Sequence, residues 1–320
     1  MKLTRIGPVG AERPAVLTLD GQAYDLSQLT SDINGAFLAD HGVERVRDAL
    51  IAGHLRPIDI AEHRVGAPVA RPGKVVCVGL NYRDHAEETG AEVPIWPFVF
   101  LKAPYTVIGS NDKVLVPRGS VKTDYEVEPA VVIGATASYL DSPDDVAAVV
   151  AGYAVSHDVS EREFQLEYSG QWDLGKSCAT FNPLGPWLVP ASDVDVSALE
   201  PTLLVNGDVR QRGSTKEMVF DPAYLVWYLS QYMVLEPGDV INTGTRPVSR
   251  SAAPTPHTCG RGTWSRCRST GWARSARRWG RRDGRVRRAA WGRHRRGIGN
   301  RPGRGAAAGG AGRAGRGIRP

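Results

Sequence analysis

The balance of basic and acidic residues changes at about Thr245, and this change limits which residues can form a folded core. Residues 246–320, called the tail below, contain 21 arginines, no lysine and one acid, Asp283. The whole chain has 40 basic and 34 acidic residues, so the first 245 residues hold 19 basic against 33 acidic ones. No helical or strand periodicity runs through the tail, which is typical of a segment that does not fold alone. The sequence therefore predicts an acidic folded body and a disordered basic tail.

Residues 1–70 predict a small N-terminal α+β domain. Residues 15–19 have the pattern of a short strand, and apolar side chains in residues 43–52 are spaced for one face of a helix. Pro68, Pro72 and Gly73 then mark a linker. The four cysteines show no CxxC spacing, and no run approaches the ~20 apolar residues of a membrane span. We therefore expect a soluble cytoplasmic protein.

Residues 73–245 predict a larger domain in which strands alternate with capped helices. Strands are expected at residues 75–78, 98–102 and 152–157, and a longer strand at 124–133 is polar at its start and then continuously apolar. Such a strand begins at an open rim and enters a core. Ser142-Pro143 and Asp221-Pro222 each place a capping side chain before a proline, which is typical of a helix start.

Three acids lie at the polar start of the long strand. Asp124, Glu126 and Glu128 are spaced by two, so a strand would point all three side chains to one face, ~7 Å apart per step. These like charges repel one another unless a cation or several donors lie among them. One interpretation is a site for Mg²⁺ or Mn²⁺, with Asp158 as a further ligand. The other is an edge strand with solvated acids, and the spacing alone does not separate the two.

Seven short motifs in a fixed order resemble one known family. They are Gly-Leu-Asn-Tyr-Arg-Asp-His at 79–85, Phe-Leu-Lys at 100–102, Asp-Tyr-Glu-Val-Glu at 124–128, His-Asp at 157–158, Gly-Lys-Ser at 175–177, Val-Asn-Gly at 205–207 and Thr-Gly-Thr at 243–245. The order is similar to the fumarylacetoacetate hydrolase family throughout residues 73–245. The resemblance implies a mixed α/β, mostly β fold, a β-sandwich or roll with flanking helices, and commonly a homodimer.

The resemblance also implies which residues hold a metal. In the family, the two glutamates of an E-x-E step and a later aspartate bind Mg²⁺ or Mn²⁺, and these correspond to Glu126, Glu128 and Asp158. Asp124 then becomes a supporting acid outside the ligand set. Pro129 departs from the leucine that the family usually has there. Because proline lacks the donor of a sheet ladder, it predicts an edge or irregular position.

A histidine and a glutamate three residues apart, His85 and Glu88, share a face if their segment is helical. Taken alone, they are more ordinarily a solvated surface pair. In the hydrolases of the family such a pair activates the attacking water, and the resemblance implies that role here. It also implies that Lys176 stabilises an enolate. Substrate contacts are expected from three more residues: Lys102, Gln165 and Thr245.

The function that the resemblance implies is metal-dependent hydrolysis of a carbon–carbon bond in a small 2-oxo acid, such as an acylpyruvate, within the catabolism of aromatic or 2-oxo acids. Isomerases, decarboxylases and lyases of the family share the metal site, so these activities stay open. Clustered arginines and tryptophans in the tail leave a third class, nucleic-acid binding. We expect a small-molecule substrate and no membrane partner.

A shift of reading frame after Thr245 is a second explanation of the tail. High-GC codons read out of frame give arginine, glycine, alanine, proline and tryptophan. With suitable codons, residues 268–278 shifted by two bases read Ile-Asp-Gly-Leu-Gly-Ala-Gln-Arg-Gln, and residues 260–265 read Ala-Gly-Asp-Val-Val. Both resemble the usual end of the family, which favours a frameshift over a nucleic-acid-binding arm. The nucleotides of the gene around codon 245 would decide between them.

Overall fold

The computed structural model describes residues 1–83 and 93–245, together with the backbone of residues 265–270. Its N-terminal part is an antiparallel sheet in the order β1-β2-β3-β4, with bounds Lys2–Ile6, Arg13–Leu17, Ala23–Asp25 and Arg56–Ile58. Helices α1 (Gly35–Ala39) and α2 (Gly42–Ile51) pack on it, with Val16, Phe37 and Val46 in the shared core. The strand and the helix expected in this region are thus present.

The N-terminal sheet is tied to the rest of the chain. Leu3 of β1 and Leu188 exchange both backbone hydrogen bonds, each 2.9 Å from nitrogen to oxygen. Leu188 and Val132 also belong to the hydrophobic core that this sheet shares with its helices. Met1–Ser275 form one compact unit, and the separate N-terminal domain of residues 1–70 stays a prediction.

A larger mixed sheet carries most of the remaining strands. Its order is β6-β5-β16-β9-β10-β12-β7, and β13 also pairs with β10. The bounds are Val75–Gly79 for β5, Phe98–Lys102 for β6, Val107–Gly109 for β7, Val127–Ile133 for β9, Val150–His157 for β10, Asn182–Leu184 for β12, Val189–Pro190 for β13 and Val240–Asn242 for β16. Every residue of β9 is buried, because strands flank it on both sides. The fold is mixed α/β and mostly β, as predicted.

Two small sheets and two further α-helices are also present. The strands are β8 (Thr123–Asp124) with β11 (Ser160–Glu161), and β15 (Asp208–Arg212), β14 (Glu200–Val205) and β17 (Ser265–Thr270) in that order. The helices are α3 (Trp172–Lys176) and α4 (Pro222–Ser230), and a π-helical turn covers Phe164–Tyr168. The predicted helix starts are confirmed, since Asp221 caps α4 and Ser142 caps the 3₁₀ helix Pro143–Ala148 in a capping box.

The predicted long strand at 124–133 is broken in the structure. Residues 125 and 126 belong to no strand, so β8 and β9 are separate elements. The edge position predicted from Pro129 is wrong, because Pro129 pairs with Val155 in the middle of the larger sheet. The residue after β16, Thr243, still donates from its nitrogen to the Pro129 carbonyl at 3.2 Å. The Thr243 carbonyl, which faces the donor that proline lacks, accepts from Asn81 Nδ2 at 2.8 Å instead.

The described part of the tail forms a strand. Ser265–Thr270 form β17, which pairs antiparallel with all six residues of β14. The sequence predicts no strand after Thr245, and β17 departs from that prediction over these six residues. The frameshift stays a hypothesis for the nucleotide sequence to test. No helix in the part of the chain that the structure describes is long and apolar enough to cross a membrane.

Candidate active site

Three buried carboxylates come together at one end of the paired strands β9 and β10. Glu126 is 7% exposed, Glu128 2% and Asp158 1%, and one oxygen of each lies within 4.8 Å of the others. The predicted ligand set is therefore assembled as a cluster. Asp124, which the resemblance placed outside that set, is not part of the cluster.

The register of β9 and β10 explains this convergence. Val127 pairs with His157 and Glu128 with Ser156, and the backbone nitrogen of Asp158 donates to the Glu126 carbonyl, 2.9 Å away. Asp158 therefore lies opposite Glu126. Because side chains alternate along a strand, residues 126, 128 and 158 fall on the same face, whereas His157 points to the other.

Lys176 lies among the acids. Its ammonium donates to Glu126 Oε2 at 2.6 Å and to Asp158 Oδ2 at 2.8 Å, and it lies 5.0 Å from the centre of the Phe100 ring. The lysine is the last residue of α3, and it is buried. Lys176 thus contacts two of the three predicted metal ligands, and its role with an enolate stays a prediction.

Arg162 is a second cation of the site, and no motif in the sequence indicated it. Its guanidinium donates to Asp124 Oδ2 at 2.9 Å, to Gln165 Oε1 at 2.9 Å and to Glu126. Asp124 and Gln165 thus hold the arginine against a predicted metal ligand. The available sequence signal was a cation four residues after Asp158.

The neighbouring charges move the pKa values of the two glutamates and the lysine in different directions. Burial alone would raise the pKa of Glu126, but Arg162 and Lys176 hold it well below its usual value. Burial, reinforced by the charges of Asp158 and Glu126, raises the pKa of Glu128 well above its usual value. Burial would lower the pKa of Lys176, but Asp158 and Glu126 raise it. Glu128 is thus the carboxylate that the protein's own cations compensate least.

The donor set fits a hard divalent cation. Three carboxylates supply oxygen ligands and leave coordination positions for water and substrate, as Mg²⁺ and Mn²⁺ require. Glu128 Oε2 accepts from the Gly244 nitrogen at 2.9 Å, which orients it but does not offset the repulsion from its neighbours. Gly244 adopts φ 95°, and a Cβ there would lie 2.8 Å from Asn81 Cβ, so glycine is required for this approach.

A small pocket opens onto the cluster. One part of its wall carries charged side chains and another part is apolar. The lining residues are Val78, Gly79, Leu80, Phe100, Glu126, Glu128, Arg162, Trp172, Lys176 and Thr245. An apolar wall beside a set of charges suits a small acid with a less polar end.

The remaining predicted site residues have different positions. Thr245 lines the pocket, and its hydroxyl donates to the Val127 carbonyl at 2.9 Å. Gln165 is buried and accepts a hydrogen bond from Arg162, and Lys102 is buried against Asp158. Neither residue lines the pocket, although both were predicted to contact substrate. His85 and Glu88 lie outside the described residues.

We expect Mn²⁺ to bind more weakly as the pH falls. Glu128, with its raised pKa, holds a proton that the ion must displace, so the Kd should rise by up to about tenfold for each pH unit below that pKa. The stability of the metal-free protein depends on pH in the opposite direction. A carboxyl whose pKa is raised in the folded state stabilises the folded protein at low pH, and this contribution is lost as the pH rises through that pKa. Titration calorimetry with Mn²⁺ across the pH range measures the effect, and a constant Kd would contradict it.

Comparison with known proteins defines the class. Residues 74–270 match the family described as "Fumarylacetoacetate (FAA) hydrolase C-terminal". The chain belongs to the fumarylacetoacetate hydrolase family. A protein of Burkholderia lata, whose name is that of a hydrolase with no substrate stated, is 48% identical over 258 residues, 80% of this chain and 90% of that protein.

Solved structures similar to this chain include both hydrolases and isomerases. Maleylpyruvate hydrolase from Sphingobium sp. SYK-6, in complex with manganese(II) and pyruvate, has a TM-score of 0.69 and 27% identity over 85% of this chain and 96% of that one. The 5-carboxymethyl-2-hydroxymuconate delta-isomerase of Mycobacterium smegmatis has a TM-score of 0.67 and 32% identity over 85% and 95%. These similarities agree on the family, and they include proteins that catalyse different reactions.

Proposed function

We propose that this chain is a divalent-metal-dependent hydrolase that cleaves a carbon–carbon bond in a small 2-oxo acid of the acylpyruvate type. The observation that carries the proposal is the buried cluster of Glu126, Glu128 and Asp158 with the Lys176 ammonium beside it, at the end of a small pocket. The similar maleylpyruvate hydrolase, described with manganese and pyruvate, supports the same chemistry.

The three carboxylates would hold Mg²⁺ or Mn²⁺, which supplies Lewis acidity toward the oxygens of a 2-oxo acid and offsets the charge of its ligands. Lys176 is a fixed cation next to the site in which negative charge develops on the departing enolate. Arg162 holds Glu126 in place from the other side, with Asp124 and Gln165 fixing the guanidinium.

His85 and Glu88 are proposed as the pair that activates water, and His85 follows the pocket-lining Leu80 by five residues. The water oxygen bonds to the distal carbonyl carbon while His85 takes its proton. The bond between that carbon and the neighbouring CH₂ carbon then breaks, and its electron pair becomes the enolate of pyruvate. The proton returns to the enolate carbon, so an acylpyruvate and water give a carboxylic acid and pyruvate.

The expected result is metal-dependent release of pyruvate from an acylpyruvate by the purified full chain. Lactate dehydrogenase and NADH report the pyruvate, and loss of the enol absorbance reports the substrate. Chelation with EDTA should remove the activity, and added Mn²⁺ or Mg²⁺ should restore it. Pyruvate release that continues undiminished in EDTA would contradict the proposal.

An isomerase is the second candidate, favoured by the likeness to the Mycobacterium smegmatis isomerase. The same metal ligands would serve a shift of a double bond without cleavage. Offered a 2-hydroxymuconate-type dienoate, an isomerase changes the absorbance of the diene and releases no pyruvate or carbon dioxide. Carbon dioxide release would indicate a decarboxylase.

A further inference from the structure

Lys102 is the most completely buried charged partner of the metal ligands. It is 1% exposed, and its ammonium donates to Asp158, to the Val159 carbonyl at 3.1 Å and to the Phe181 carbonyl at 2.6 Å. These three acceptors use all three protons of the ammonium. The group has no proton left for a substrate, and the residue does not line the pocket.

Strand β6 explains why Lys102 reaches the aspartate. Phe100 and Lys102 are two residues apart on β6, so both point to the same buried face. Phe100 lines the pocket, and Lys102 is more deeply buried. Pairing of Leu101 and Lys102 with Val76 and Val75 of β5 fixes the backbone from which the lysine extends.

Lys102 and Lys176 contact different oxygens of Asp158. Lys102 contacts Oδ1, and Lys176 contacts Oδ2, the oxygen that also faces the Glu126 side of the cluster. A carboxylate held at one oxygen by a buried donor keeps its plane and presents the other oxygen in a constant direction. Backbone contacts add to this, since the nitrogen and the carbonyl of Asp158 are bonded to the Glu126 carbonyl and to Ser160.

We propose that Lys102 is a positioning residue that orients Asp158 Oδ2 toward the divalent metal, and that it does not contact substrate. The inference rests on the metal site of the proposed function. A residue that supports a metal ligand in this way typically contributes about 10- to 100-fold in metal affinity or activity. A lysine that acted only through its positive charge would oppose cation binding instead.

The test measures the Mn²⁺ affinity of the Lys102→Met protein. Methionine keeps an unbranched side chain that is one atom shorter and removes the donors. We therefore expect the Mn²⁺ Kd, measured by calorimetry or by the signal of free Mn²⁺ in electron paramagnetic resonance, to rise about 10- to 100-fold. At saturating Mn²⁺, KM for the acylpyruvate should change little. An unchanged or tighter Kd in a folded variant would overturn the inference, and so would a change confined to KM.

Two further variants keep the result interpretable. Lys74→Met is the matched control, because Lys74 contacts the fully buried Asp239 at 2.7 Å at the other end of β5 from the pocket; its Mn²⁺ Kd should equal that of the wild type. If Lys102→Met does not fold by circular dichroism, Lys102→Gln keeps one donor group and should show a smaller rise in Kd. If wild-type protein binds no Mn²⁺, the proposed function fails, whereas equal binding by wild type and variant defeats only the role of Lys102.

Discussion

Glu126→Gln should abolish metal-dependent turnover. The substitution removes one ligand charge and also leaves Arg162 and Lys176 without the carboxylate that they share. Loss of the metal's contribution, several kcal/mol of transition-state stabilisation, corresponds to about a 10³-fold lower kcat/KM. Pyruvate release at increasing Mn²⁺ measures the effect, and excess metal should restore little of the activity.

Glu12→Gln is the control for this change. Glu12 is also a shielded glutamate held by two arginines, Arg5 and Arg64, but it belongs to the N-terminal part of the chain and does not line the pocket. We expect it to lower stability without altering the Mn²⁺ requirement. If the Glu126→Gln protein kept wild-type turnover, or lost activity in parallel with the control, Glu126 would not be a ligand.

Lys176→Met should separate catalysis from metal binding. The fixed cation beside the developing enolate is lost, and removal of one such stabilising group lowers kcat by about 10²- to 10³-fold. The substitution also removes an ammonium that lies between Glu126 and Asp158, so Mn²⁺ should bind at least as tightly as in the wild type. Calorimetry with Mn²⁺ and steady-state kinetics on the same preparation measure the two effects.

The two lysines on Asp158 are therefore expected to have opposite effects on Mn²⁺ affinity. Lys74→Met again serves as the control for loss of a lysine from a buried aspartate. A Lys176→Met protein with normal kcat would remove the lysine from the proposed mechanism. A Lys176→Met protein whose kcat fell only in proportion to a weaker Mn²⁺ affinity would indicate that Lys176 acts through the metal site alone.

Local patterns in the sequence predicted the elements whose causes are local. The strand at 98–102 has the predicted bounds, and Asp221 caps the helix that Pro222 begins, because each pattern depends only on neighbouring residues. Pro129 shows the limit of predictions from the local sequence. Its missing donor is tolerated because the facing Thr243 carbonyl accepts from Asn81 instead, and neither residue is near Pro129 in the sequence.

The residues of the candidate site also differ in how far the sequence could predict them. The carboxylates were recognisable because Glu126 and Glu128 are spaced by two and Asp158 follows a strand, and the family resemblance then favoured a metal over solvated edge acids. The partners of the cations were not recognisable. Whether a lysine such as Lys102 faces substrate or a ligand depends on the register of β6 and on carbonyls at Val159 and Phe181, which only tertiary packing brings together.

Strand β9 carries Glu128 and lies between β16 and β10, and Asp158 follows directly on β10. The cooperative unit that unfolds last in such a protein is the centre of its main sheet. Glu128 thus belongs to that unit, and the other two proposed ligands, Glu126 and Asp158, directly adjoin the ends of β9 and β10. Occupancy by an ion should consequently slow amide hydrogen exchange across β9 and β10 together, and the enzyme should lose its metal by global unfolding more readily than by a local opening of the site.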